Sequence, residues 1–160
     1  MPSGLVDVVM FPVGPYVDQR YIAEILPLAR QYHVGTVCFK TFGAGKLLGD
    51  TSGYNQPLQE WPHGMRSIGE QTPGQSFLPH LSVAQCVHYT LTCDPDVALL
   101  GLNDPTEQDA AFAAVKAFAA PLDPAQIATI RQLAVAAVVH KGPCRWNPSE
   151  PLALAAVGGQ

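Results

Sequence analysis

Gly35–Asp50 reads GTVCFKTFGAGKLLGD. Thr36 to Thr41 is a short run of apolar and β-branched residues interrupted only by Lys40, and it predicts a strand buried on both faces of a parallel sheet. Gly43 and Gly45 then punctuate a loop, and Lys46 leads into Leu47 and Leu48. Ligands of parallel α/β sheets sit beyond the C-terminal ends of the strands, so a site is expected at this junction. Two readings compete: a loop whose glycines let backbone N–H groups and two lysines approach anionic oxygens, or a turn between two structural elements.

Working outward, residues 6–13 (VDVVMFPV) repeat the pattern of a continuous apolar run, closed by the turn residues Gly14 and Pro15. A helix opens near Asp18, with Ile22, Ile25, Leu26 and Ala29 at helical spacing and Pro27 as its kink. From Gly49 to Pro79 the chain carries five Gly and four Pro without sustained periodicity, and 49–80 is expected to be one long loop. Order returns at Ser82, where Ser82-Val83-Ala84-Gln85 has the capping-box pattern and Val83, Cys86, Val87, Thr90 and Leu91 share one helical face.

Val97 to Leu102 is the third strand candidate. Asp104-Pro105-Thr106-Glu107 combines an N-cap, a proline at the first helical position and a Glu three residues after the cap, with Phe112, Val115 and Phe118 continuing that helix. Asp123-Pro124-Ala125-Gln126 repeats the device for a last helix, whose inner face is expected to hold Ile127, Ile130, Leu133, Ala134 and Ala137. Residues 142–160 read as an irregular tail. Strands alternating with helices imply right-handed βαβ crossovers and a parallel sheet of about three strands.

Composition sets the class. The chain has 160 residues, 48% hydrophobic and 14% charged, enough to bury a core as a single domain, 1–160. A net charge of -4 with scattered lysines and arginines offers no basic stripe, so nucleic acid is not an expected partner. No run approaches the roughly 20 apolar residues of a membrane helix, and Met1 is followed by Pro2, Ser3 and Gly4 rather than by a signal segment, so the expectation is a cytoplasmic chain without a membrane partner. The four cysteines, Cys38, Cys86, Cys93 and Cys144, are widely spaced, and with no CxxC or HxxxH spacing they read as reduced thiols rather than as a disulfide frame or metal site.

The segments VDVVMFP (6–12), GTVCFKTFGAGKL (35–47) and LSVAQCVHYTLTCDPDVALLGLNDPTEQDAAFAA (81–114) together resemble the C-terminal part of the aldo-keto reductases, over roughly positions 5 to 147. The order and spacing of three strand ends carry the resemblance. It implies an α/β fold in which these strands correspond to strands six, seven and eight of a (β/α)8 barrel, hence a partial TIM barrel, since a whole one takes roughly 250 residues.

In that family the tyrosine proton donor and its lysine, aspartate and histidine partners come from earlier strands, so no catalytic residue is assigned here. What the resemblance does imply is the segment that holds NADP(H) or NAD(H). Phe39 or Lys40 falls where the family often packs an aromatic ring on the nicotinamide. Thr41, Phe42, Gly43, Ala44 and Gly45 fall on the loop passing the phosphates, with Lys40 and Lys46 adding positive charge. Gly101, Leu102, Asn103 and Asp104 fall on the second contact, at a helix start suited to anions. Many members grip a 2′-phosphate there with Ser or Lys and then Arg; Asn103, Asp104, Glu107 and Gln108 depart from this, and both cofactors stay open.

Other residues read more plainly. His88 follows Val87 on a helix and is a packed histidine; His63 and His80 lie in or beside the long loop with no acid or nucleophile paired to them in sequence, and Trp61 is a loop anchor. Cys144-Arg145-Trp146-Asn147-Pro148 is similar to the cysteine-bearing tails of iron–sulfur members, but one cysteine cannot hold a cluster that needs four. Two functions follow: an NAD(P)H-dependent carbonyl oxidoreductase segment, or a non-catalytic partial barrel that pairs through its open strand edges with another copy or chain.

Overall fold

The computed structural model describes residues 4–48, 79–101, 105–139 and 144–147. Three strands, β1 (Val8–Pro12), β2 (Gly35–Phe39) and β3 (Val97–Ala98), form one parallel sheet in the order β1-β2-β3. Helices join and flank them: α1 (Leu26–Gln31), α2 (Val83–Thr92), α3 (Pro105–Ala117) and α4 (Pro124–Val138). This is the α/β arrangement of adjacent parallel strands that the alternating pattern predicts, in the order successive units of a (β/α)8 barrel would give.

The strands are shorter than their apolar runs. β1 covers 8–12 of the expected 6–13, β2 runs 35–39 against the expected 36–41, and β3 keeps two residues of 97–102. A side-chain clamp from β2 fixes the start and register of β3. Asp96 accepts hydrogen bonds from the Thr36 N–H (2.7 Å) and hydroxyl (2.7 Å), while its own N–H donates to Thr36 Oγ1 at 2.9 Å. This clamp sets Val37 beside Val97 and Cys38 beside Ala98. After one more ladder bond, from Leu99 N–H to the Cys38 carbonyl at 2.7 Å, the chain leaves the sheet.

The crossover from β1 to β2 begins as a π-helical turn, Tyr21–Ile25, and continues as α1. Pro27 lies at the junction where the π-helical turn passes into α1, so the expected kink takes the form of a change of helix type. His33 at φ 54° terminates α1 in the left-handed region and lets Val34 N–H reach back to the Ala29 carbonyl at 2.9 Å. Both capping boxes form as expected. Ser82 and Gln85 exchange bonds of 2.9 and 3.1 Å at the start of α2, and Asp123 and Gln126 exchange bonds of 2.9 and 2.8 Å at the start of α4.

Two clusters make the core. One joins Phe11, Val13, Leu26 and Cys38 between the sheet and α1. The larger gathers Phe42, Leu47, Leu48 and Leu81 with Cys86 and Val87 of α2 and Ile130, Ala134 and Ala137 of α4. Burying one Leu or Phe side chain stabilises by about 1.5–3 kcal/mol, so the segment following β2 is itself a principal part of the core.

On α3, Phe112 is 60% exposed, and Ala111 and Ala114 are the residues buried against α2. Small side chains let the two helices approach closely, and the phenyl ring is left outside. One expectation about burial is corrected. The strands are not covered on both faces among the described residues: Val8 (57% exposed) and Met10 (61%) project from β1 on the side away from α1, and Val97 and Leu99 are exposed as well. The long loop expected over 49–80 lies outside the described residues except for Pro79 and His80, and of the tail 142–160 only 144–147 are described. Among the described residues no helix is long and apolar enough to cross a membrane.

Candidate functional site

The C-terminal end of β2 is where the backbone departs furthest from ordinary geometry. Lys40 (φ 72°), Gly43 (56°), Ala44 (53°) and Gly45 (82°) all adopt left-handed conformations within six residues. For Lys40 and Ala44 that region is costly, and such residues persist where the surrounding structure holds them. Here the loop holds itself: Gly43 N–H donates to the Lys40 carbonyl at 2.9 Å, Gly45 N–H to Phe42 at 3.0 Å, Lys46 N–H to Gly43 at 3.2 Å and Leu48 N–H to Gly45 at 3.2 Å. Leu47 N–H donates to the Phe42 carbonyl at 3.3 Å. Phe42 and Leu47 are buried beneath these turns. A Cβ on Gly43 would stand 2.9 Å from Leu47 Cγ, so its lack of a side chain serves packing as well as φ.

This arrangement decides what the loop offers an anion. The amides of Gly43, Gly45, Lys46, Leu47 and Leu48 are engaged within the loop, so positive charge comes chiefly from the ammonium groups of Lys40 and Lys46. The residues therefore suit a phosphate group through point charges at a strand end more than through an amide cradle. Thr41 is buried and its hydroxyl has no hydrogen-bond partner among the described residues. Phe39, at the last position of β2, is half-buried. Gly101 follows β3 two residues after Leu99, whose N–H bonds the Cys38 carbonyl, so the second expected contact starts beside the first. Leu102, Asn103 and Asp104 lie outside the described residues.

Two further segments, both missed as site elements from sequence, close around this end. The loop after β1 comes so near that a Cβ on Gly14 would stand 2.6 Å from the Lys40 carbonyl oxygen. Residues 144–147 cross over it. Trp146 Nε1–H donates to the Tyr16 carbonyl at 3.0 Å, Asp18 N–H donates to Asn147 Oδ1 at 2.9 Å, and Lys40 Nζ sits 5.0 Å from the centre of the Trp146 ring. A turn bond from Asn147 N–H to the Cys144 carbonyl at 2.9 Å shapes the clasp. The sequence signal was present in the adjacent Trp146 and Asn147, an aromatic face and an amide in a tail with no periodicity, but nothing local says what they touch.

Electrostatics fix the rim. The Arg20 guanidinium grips the Asp18 carboxylate, with Nε at 3.0 and 3.1 Å from its two oxygens, and holds its pKa down to about 2. Burial raises the Cys144 thiol, and the charge of Lys46 partly opposes that, so Lys46 also bears on the clasp. Burial pushes Cys38 up to about 12 and Cys93 up to about 11, and raises Cys86, so these thiols are inert rather than nucleophilic. His88 bonds the Ala114 carbonyl at 2.8 Å and lies against Phe118, the packed role expected of it. A cleft of about 540 Å³ opens between Pro15–Gln19 and α4; it shares Tyr16, Asp18 and Asn147 with the clasp and is lined also by Arg131 and Gln132, but by no residue of 39–46. Among the described residues no group of three or more His, Cys, Asp or Glu is placed to hold a metal ion.

No family model and no curated protein matches the chain. One solved structure is similar. It is an aldo-keto reductase from Bacillus halodurans in its apo form, 18% identical, with a TM-score of 0.49, and the match covers 79% of this chain and 43% of that one. The chain thus spans less than half of the length of that reductase.

Proposed function

We propose that this chain carries the cofactor-holding part of an aldo-keto-reductase-like oxidoreductase, the part on which the phosphates of NADP(H) or NAD(H) rest. The observation that supports it is the strained turn from Lys40 to Lys46 at the C-terminal end of the middle strand of a parallel sheet, the position where such sheets bind ligands. The sequence resemblance supplies the chemistry: hydride exchange between a nicotinamide and a carbonyl. Lys40 and Lys46 contribute charge to the phosphates, Phe39 an aromatic face, and the segment from Gly101 to Asp104 the second contact. By the resemblance, the proton donor belongs to strands earlier than the three matched here, so binding without turnover is the expected property of the 160 residues alone.

Titration of the purified chain with NADPH and NADH tests this. Saturable binding that Lys46→Ala weakens about tenfold is expected, about 1.4 kcal/mol for a charged contact. Absence of binding by a folded chain, or carbonyl-dependent NADPH oxidation above a boiled control, would contradict it.

The second reading, an interaction module, is favoured by a different observation. Val8, Met10, Val97 and Leu99 form an exposed apolar face on a sheet whose outer strands, β1 and β3, have no further strand paired to them among the described residues. A second copy of the chain laid against that face would bury it. Light scattering decides: a mass above 17.1 kDa is expected, and a monodisperse monomer of that mass opposes it.

A further inference from the structure

Lys40 occupies an unusual electrostatic position. Its side chain is half-buried, its backbone is held in the left-handed region, and it forms no ion pair with the described residues, whose ion pairs are Arg20–Asp18 and Arg30–Asp94. Its ammonium instead lies over the face of Trp146. A carboxylate in that place would both order and neutralise the lysine. A π face orders it and leaves its positive charge uncompensated. The ring is not a passing neighbour, because Trp146 is itself tied to the Tyr16 carbonyl and Asn147 to the backbone of Asp18, which Arg20 braces through its carboxylate. Lysine carries about 2 kcal/mol of rotamer entropy, which a ligand would otherwise have to overcome in ordering the side chain.

We infer that Trp146 is a positioning residue that holds the Lys40 ammonium, charged and pre-ordered, for a phosphate group of the ligand. The inference rests on the proposed cofactor reading and adds to it a role for the C-terminal clasp. The clasp and the strand-end loop then form one device, in which residues more than a hundred positions apart together set the affinity for an anion.

A double-mutant cycle in the full 160-residue chain tests it, with inorganic pyrophosphate as the calorimetric probe and circular dichroism as the check on folding. Trp146→Leu should weaken pyrophosphate binding about three- to fivefold, the worth of one partly exposed cation–π contact. Trp146→Phe, which keeps a π face but loses the Nε1–H bond, should stay within about twofold of wild type. In a Lys40→Met background, Trp146→Leu should have no further effect, because its influence passes through the ammonium. Equal weakening by Trp146→Leu in both backgrounds would mean that the ring merely supports the loop, and no weakening in either would mean that it does nothing for the site; each overturns the inference and leaves the cofactor reading standing. Failure of folded wild-type chain to bind pyrophosphate at all would overturn both.

Discussion

Two regions of this small sheet contrast sharply. At the C-terminal ends of the strands three distant segments interlock: Gly14 beneath the Lys40 carbonyl, the turns from Lys40 to Leu48, and the clasp of Trp146 and Asn147. On the sheet face away from α1, Val8, Met10, Val97 and Leu99 stand exposed, and among the described residues nothing covers them. The first region is over-determined, with strain at Lys40 and Ala44 held by the loop's own hydrogen bonds and distant segments packed around it; the second has apolar surface without a counterpart among the described residues. Strain retained by dense contacts is a mark of a site, whereas exposed apolar strand surface is a mark of an interface.

The largest effect that bears on this contrast should come from Gly14→Val. A side chain there meets a backbone oxygen that cannot move without displacing the Lys40 turn, so destabilisation of about 3 kcal/mol or more is expected in chemical denaturation. A loss below about 1 kcal/mol would mean that the two loops are not locked together.

Met10→Lys addresses the other region. The substitution should leave monomer stability within about 0.5 kcal/mol, since the side chain is already exposed, yet abolish self-association in sedimentation experiments. An unchanged association state would remove this face from the interface.

Asp123→Ala sharpens the comparison on neutral ground, because the α4 cap belongs to neither region. Loss of its bond to the Gln126 N–H should cost about 1 kcal/mol, visible as a lowered denaturation midpoint, with ligand affinity unchanged.

The smallest effect is expected from pH. Asp18 has its pKa lowered, so its contribution is present above the ordinary carboxylate range near 3.8 and is lost as pH falls toward about 2. With the Arg20 side chain 34% exposed, solvent screening keeps that contribution small. Stability of the Asp18→Asn variant should therefore converge with that of wild type between pH 4 and about 2. A constant difference across that window would assign the effect to packing rather than charge.

Much of the fold was legible because its signals are local. The apolar runs at 6–13 and 36–41 and the capping boxes at Ser82 and Asp123 are signals carried by residues close in sequence; the runs yield strands at Val8–Pro12 and Gly35–Phe39, and both boxes form where the pattern puts them. What was not legible is non-local. That Ala111 and Ala114 rather than Phe112 are buried on α3 is decided only by the approach of α2. The register of β3 is set by Thr36 of β2, whose N–H and hydroxyl hold Asp96, which no run of apolar residues reveals. Of the candidate site, the glycine loop was visible as Gly43 and Gly45 after a strand, while its partners Gly14, Tyr16, Trp146 and Asn147 were not, being separated from it by up to more than a hundred residues.

The central claim is that anionic cofactor rests on the turn after β2. Amide hydrogen exchange of the full chain with and without saturating NADPH tests it most directly. Slowed exchange concentrated at residues 39–46 and 100–104, with the amides of α4 unaffected, is the predicted result. Protection that bypasses residues 39–46, or falls instead on the cleft between Pro15–Gln19 and α4, would contradict the account.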